Sequence, residues 1–122
     1  MRSLEKLDGW KKSIDFVVAV YKMAEKFPSE ERFGLTSQIR RASVSISANI
    51  AEGAARESDK EFLRFLSIAQ GSTSEVETEL LIANRLSFLS DENHIVTRTA
   101  LDEIGRMITG LSNHLRRKSQ SN

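Results

Sequence analysis

Two histidines, His94 and His114, are the side chains in this 122-residue chain best suited to move protons near neutral pH. A serine nucleophile needs such a base beside it, and serines are plentiful, but no G-x-S-x-G elbow accompanies them. His94 falls at the start of one candidate helix. His114 falls near that helix's last turn, where a cation complements the dipole. Cysteine is absent, which removes thiolate catalysis, disulfides, iron–sulfur clusters and cysteine zinc sites together. The chain carries no Walker loop, no G-x-G-x-x-G and no H-E-x-x-H. A di-iron bundle needs Glu-x-x-His on two of its helices, and the nearest match is a lone Asp91-x-x-His94. The expectation is a protein that is not an enzyme and uses no metal or cofactor.

Binding chemistry is the remaining option. Eighteen Lys and Arg against 17 Asp and Glu leave a net charge of +1, too balanced to announce a polyanion partner. The asymmetries are local. After Glu103 no acid follows, while Arg106, Arg116, Arg117 and Lys118 do. Glu75 and Glu79 are like charges one helical turn apart, which repel unless a cation lies across from them. Arg40 and Arg41, with Gln38 beside them, are the candidates.

Helices must position these groups. Hydrophobic residues make up 39% and charged residues 29%, a globular composition. One proline and an apolar period of 3.6 predict an all-α chain of four helices. The first is expected over Asp8–Phe27, stopped by Pro28, and the second over Leu35–Ala55. The third opens on the capping box Ser58-Asp59-Lys60-Glu61 and runs to about Leu89. The fourth is capped by Ser90 or Asp91, with a core stripe of Val96, Ala100, Ile104, Met107, Ile108, Leu111 and Leu115. A single domain over residues 1–118 with a polar tail at 119–122 follows. The longest uncharged stretches, such as Ala42–Ala51, fall short of the ~20 apolar residues a spanning helix needs. Residues 1–13 do not read as a signal peptide, so no membrane association and a cytoplasmic location are expected.

The first helix is apolar over about 220° of its circumference, roughly twice what one core contact requires. Phe16, Val20, Met23 and Phe27 lie on one flank of that arc and are the candidate oligomer interface. Ser43, Ser45, Ser47 and Asn49 are poor helix formers in mid-helix, which predicts close packing or buried polar contacts. Short connections make neighbours antiparallel. A turn centred near Glu57 puts Ala42 opposite Ser72, Ser45 opposite Ala69, and Glu75 opposite Ile39 beside Arg40 and Arg41. A Glu75 ion pair with Arg41 or Arg40 is therefore expected.

The middle third then reads Leu35-Thr36-Ser37-Gln38-Ile39-Arg40-Arg41-Ala42-Ser43-Val44-Ser45-Ile46, continuing through Asn49-Ile50-Ala51-Glu52-Gly53. After Arg56 and Ser58 it reads Phe62-Leu63-Arg64-Phe65-Leu66-Ser67-Ile68-Ala69-Gln70-Gly71-Ser72, then Glu75 and Glu77. With Tyr21, Phe27-Pro28, Glu31 and Phe33-Gly34, this resembles the bacterial four-helix-bundle family named for proteins encoded by 23S rRNA intervening sequences. The resemblance implies an antiparallel up-down-up-down bundle assembling into a homopentameric ring with a central channel. It also implies an RNA-binding or ribosome-linked role. The accessory protein of diversity-generating retroelements, a more distant relative, is similar in fold and binds nucleic acid and a reverse transcriptase. That relative is strongly basic, whereas this chain is nearly neutral. Gln38, Arg40, Arg41, Asn49, Glu52, Gly53 and Glu75 stand as a structural polar motif.

In an up-down bundle the start of the first helix, the second turn and the end of the fourth helix meet at one end. Lys11, Lys12, Arg56, Lys60, Arg64, Arg116, Arg117 and Lys118 are the candidate nucleic-acid contacts there. Repeated around a ring, a modest basic rim engages several phosphates at once. The expected function is association with RNA or a ribonucleoprotein. The alternative is a protein–protein adaptor or scaffold ring that does not touch nucleic acid.

Overall fold

The computed structural model describes residues 3–120. Four helices account for most of them: α1 Asp8–Ala24, α2 Leu35–Ala54, α3 Asp59–Arg85 and α4 Asp91–Gln120. No strand occurs among the described residues. The expected tail is helical through Gln120, and residues 121 and 122 lie outside the described residues, as do residues 1 and 2.

Local chemistry explains each boundary. α1 ends at Ala24, three residues earlier than expected. Phe27 must leave the helical region before Pro28, and Lys26 and Phe27 donate to the Met23 and Ala24 carbonyls in tightened turns. α2 is capped from outside, because the Glu31 carboxylate accepts the Leu35 N–H at 3.1 Å. The Ser58 hydroxyl accepts the Glu61 N–H at 3.1 Å, the predicted cap of α3. α3 stops at Arg85, short of the expected Leu89, in a left-handed turn at Ser87 (φ 64°). Phe88 N–H donates to the Ala83 carbonyl and Ser87 N–H to that of Asn84, the bonding pattern of a Schellman cap. Ser90 then caps α4 by accepting the Asn93 N–H at 3.1 Å.

The core is one cluster drawn from all four helices. Phe16 and Val20 of α1 meet Ile39, Ile46 and Ile50 of α2, Phe62, Leu66 and Leu80 of α3, and Ile104 and Ile108 of α4. α2 and α3 form the tightest pair and α1 and α4 the loosest. That looseness corrects the expected α4 stripe: Val96 is 65% exposed and Ala100 is exposed, while Leu101 is buried. Both outward residues line a groove with Phe16 and Ala19 of α1, where the two helices do not close.

The candidate interface on α1 also needs correction. Phe16, Val20 and Phe27 are buried in the chain's own core, and Phe27 packs its ring 6.0 Å from that of Phe88. Met23 is half-buried against the same core. The surplus apolar surface lies on the opposite flank, at Ile14, Val18 and Tyr21, which are 39–50% exposed, beside Val44 of α2. An arc on a helical wheel states how much of a helix is apolar. It does not say which edge of the arc the neighbours cover.

The mid-helix serines of α2 behave as expected of residues chosen for close approach. Ser47 donates to Ser13 of α1 at 2.9 Å, and Ser45 meets Ser72 of α3 at 2.8 Å. Ser43 donates to the Arg40 carbonyl, and Asn49 donates to the carbonyl and hydroxyl of Ser45. Each of these hydroxyls keeps a partner, so little desolvation cost remains.

Candidate nucleic-acid interface

The turn from α2 to α3 is built around a residue without a side chain. A Cβ on Gly53 would lie 2.8 Å from both Phe62 Cδ1 and Phe65 Cβ. Glycine alone lets α3 seat Phe62 in the core at this depth, and Phe65 then stands at the surface edge of the seam, half-buried. Two guanidinium groups converge on that ring. Arg56 lies 4.8 Å and Arg64 5.9 Å from its centroid, within cation–π range.

α4 delivers its basic end to the same place. Lys118 Nζ sits 3.6 Å from Asp59 Oδ2, which ties the last turn of α4 to the first turn of α3. Arg116, Arg117 and Lys118 are all exposed there, as are Arg56, Lys60 and Arg64. Arg116 is steadied by Asn113 Oδ1 at 3.2 Å. These six cations share the end of the bundle with the carboxylates of Glu52, Glu57, Asp59 and Glu61.

Lys11 and Lys12 are not part of that end. Lys12 pairs with Glu103 at 3.2 Å, and Lys11 lies 4.0 Å from Asp8. Glu103 precedes Lys118 by fifteen residues of one helix, about 22 Å along its axis at 1.5 Å per residue. The expectation that the start of α1 is level with the end of α4 fails on length. α4 has 30 residues and α1 has 17, so α4 runs well past it.

The polar motif is spread over two surfaces. Gln38, Arg41 and Glu75 line one groove with Phe33, Ala42 and Ser45. Arg40 turns to α1 instead, donating to the Tyr21 carbonyl at 3.2 Å and stacking 4.8 Å from the Tyr21 ring centroid. No ion pair joins Glu75 to Arg40 or Arg41 within 4.0 Å among the described residues. The expected register is short by three residues. Ser45, not Ala42, faces Ser72, and Glu75 falls beside Ala42. Gly71 is exposed with nothing within 4 Å of its Cβ position. Glu52 is exposed.

Two features are hidden from a reading of the sequence alone. The Phe65 platform is one, because an aromatic residue on helical spacing reads as core; Arg64 beside it and Gly53 across the turn are the available signals. Glu79 is the other, since by spacing it reads only as a repulsive neighbour of Glu75. Glu79 is 5% exposed and its Oε1 meets no donor among the described residues. Burial, with the Glu75 carboxylate one turn away, pushes its pKa up to about 7. The alternating three- and four-residue step Phe62, Phe65, Ala69, Ser72, Val76, Glu79, Ala83 puts it on the face toward α2, and that step is legible in the sequence.

Four helices packed around one core define an all-α helical-bundle protein. Residues 5–110 match the family model described as 23S rRNA-intervening sequence protein, and the chain belongs to that family. A crystal structure of a protein of unknown function, from the S23 ribosomal protein family of Bacteroides thetaiotaomicron, is similar at a TM-score of 0.80. It is 25% identical in sequence, and the similarity covers 86% of this chain and 95% of that one. No curated protein matches the chain. Among the described residues no helix is long and apolar enough to cross a membrane.

Proposed function

We propose that this protein is a non-enzymatic, cytoplasmic helical bundle that binds RNA or a ribonucleoprotein through the α2–α3 turn and the end of α4. The convergence of Arg56 and Arg64 on the Phe65 ring, beside Lys60 and the Arg116–Lys118 run, is the observation that carries this reading. Arginine held against an aromatic ring offers both charge and a flat face, which suits phosphates and unstacked bases. Family membership supports the same direction, since the family is named for an rRNA insertion. The up-down-up-down, antiparallel bundle joins further copies, as a homopentameric ring, through the flank of Ile14, Val18, Tyr21 and Val44. Each ring then presents its basic end several times, and every added phosphate contact steepens the salt dependence.

The test is RNA binding measured across a salt series for the native chain and for a variant with Arg116, Arg117 and Lys118 all changed to Gln. The expected result is salt-sensitive binding by the native chain. In the variant the slope becomes shallower by about 0.7 for each phosphate no longer engaged. Binding that is absent at low salt, or untouched by the three substitutions, overturns the reading.

The near-neutral net charge of +1 favours a second reading, a protein–protein adaptor ring without nucleic acid. A specific protein that co-purifies with the ring and stays bound after nuclease treatment selects this reading over the first.

A further inference from the structure

The segment before α1 packs Leu4 and Leu7 against the core but does not fill the space beside Trp10. It leaves a cavity of about 310 Å³ between the chain's N-terminal turn, α1 and α4. Its floor is the core itself, because Ile50 of α2 and Leu66 of α3 line it and are 1% and 0% exposed. Its walls are Trp10, Met107 and Leu111, all half-buried. None of these floor and wall side chains, apart from the Trp10 indole N–H, donates a hydrogen bond, so water entering the depth of the cavity finds few partners. Lys6 and Asp8 line the same space and are exposed, which places them at its rim. Asp8 lies 4.0 Å from the Lys11 ammonium, whereas Lys6 has no ion pair among the described residues.

The geometry points to a binding site for a small carboxylic acid with an apolar body, its chain against Trp10 and Met107 and its carboxylate at Lys6. Volume sets the size of the body. At about 30 Å³ for each water-sized group, 310 Å³ holds roughly ten such groups, the size of an eight-carbon fatty acid. Chemistry sets the class. An apolar floor takes a hydrocarbon chain, and an ammonium at the mouth selects an anionic head over a neutral or cationic one. None of the residues lining this cavity belongs to the proposed RNA surface, so the two sites stand or fall separately.

Trp10 is the only tryptophan and reports on the site directly. The experiment titrates octanoate and octan-1-ol into the full chain while following Trp10 fluorescence, with far-UV circular dichroism as a check that the fold persists. Octanoate is expected to give a saturable change, and octan-1-ol a weaker one by about threefold, the worth of one exposed charge contact. Lys6→Gln is expected to bring octanoate down to the level of octan-1-ol. Gly110→Leu puts a side chain at the cavity edge, where a Cβ meets nothing within 4 Å, and is expected to abolish the response. Nuclear Overhauser contacts from octanoate methylenes to the Trp10 indole test the same placement without a substitution. A non-saturable response, equal binding of octan-1-ol and octanoate, or contacts that avoid the indole would overturn the inference.

Discussion

The Ser45 hydroxyl lies 2.8 Å from that of Ser72, and this contact marks the register of α2 against α3. Two small side chains facing each other let α2 and α3 draw together, and each hydroxyl replaces a bond to water with one across the seam. About two turns further along α2, the same register brings Gly53 against Phe62 and Phe65.

Gly53→Ala is expected to destabilise the bundle by about 1–3 kcal/mol, the usual cost of overpacking. Intrinsic helix propensity argues for the opposite sign, since alanine outranks glycine by about 1 kcal/mol in an open helix. The 2.8 Å approach to Phe62 Cδ1 and Phe65 Cβ decides between them. A urea melt in which the variant equals or exceeds the native chain contradicts the packing account.

Ser87→Gly should act in the other direction. Ser87 holds φ at 64°, a region glycine enters freely and a residue with a Cβ does not. A gain of about 0.5–1 kcal/mol is expected, visible as a rise in the thermal midpoint. An unchanged midpoint would mean that the Schellman turn carries no strain.

Glu79 makes stability depend on pH. Its folded pKa of about 7 exceeds the ordinary 4.5, so the folded chain holds a proton that the unfolded chain has released between those values. For this group stability is greatest below about pH 4.5, falls as pH rises, and reaches its lowest level above about pH 7. Glu79→Gln removes the charge and should raise stability at pH 8 by an amount on the order of 1–3 kcal/mol, with little change at pH 4. Denaturant melts at the two pH values check this, and an equal effect at both would discard it.

The ring is tested through the exposed flank of α1. Val18 is 50% exposed, so Val18→Glu leaves the core intact while placing charge in the proposed contact between copies. Sedimentation is expected to show a shift from oligomer to a folded 13.7 kDa monomer. A variant that sediments with the native chain moves the contact elsewhere on the surface.

Much of the fold is written in local chemistry. The periodic apolar residues, Pro28, the Ser58 cap and the Ser90 cap place four helices, because each signal acts within a turn or two of its own position. The serines of α2 announce a close seam for the same reason: a hydroxyl in mid-helix makes sense only with a partner nearby. Local signals also name the cations of the basic end, since an exposed helix terminus favours Arg116, Arg117 and Lys118 whatever lies around it.

Distance between elements is the part that local chemistry leaves open. A three-residue difference in the α2–α3 register moved Glu75 away from Ile39, while Arg40 turned to Tyr21 and Glu79 went into the seam. The unequal lengths of α1 and α4 removed Lys11 and Lys12 from the basic end, and their loose packing turned Val96 outward and opened the cavity beside Trp10. Which edge of an apolar helix is covered depends on where its neighbours stand, and that is settled by packing all four helices at once. Phe16, Val20 and Phe27 accordingly went to the core, and Ile14, Val18 and Tyr21 stayed at the surface.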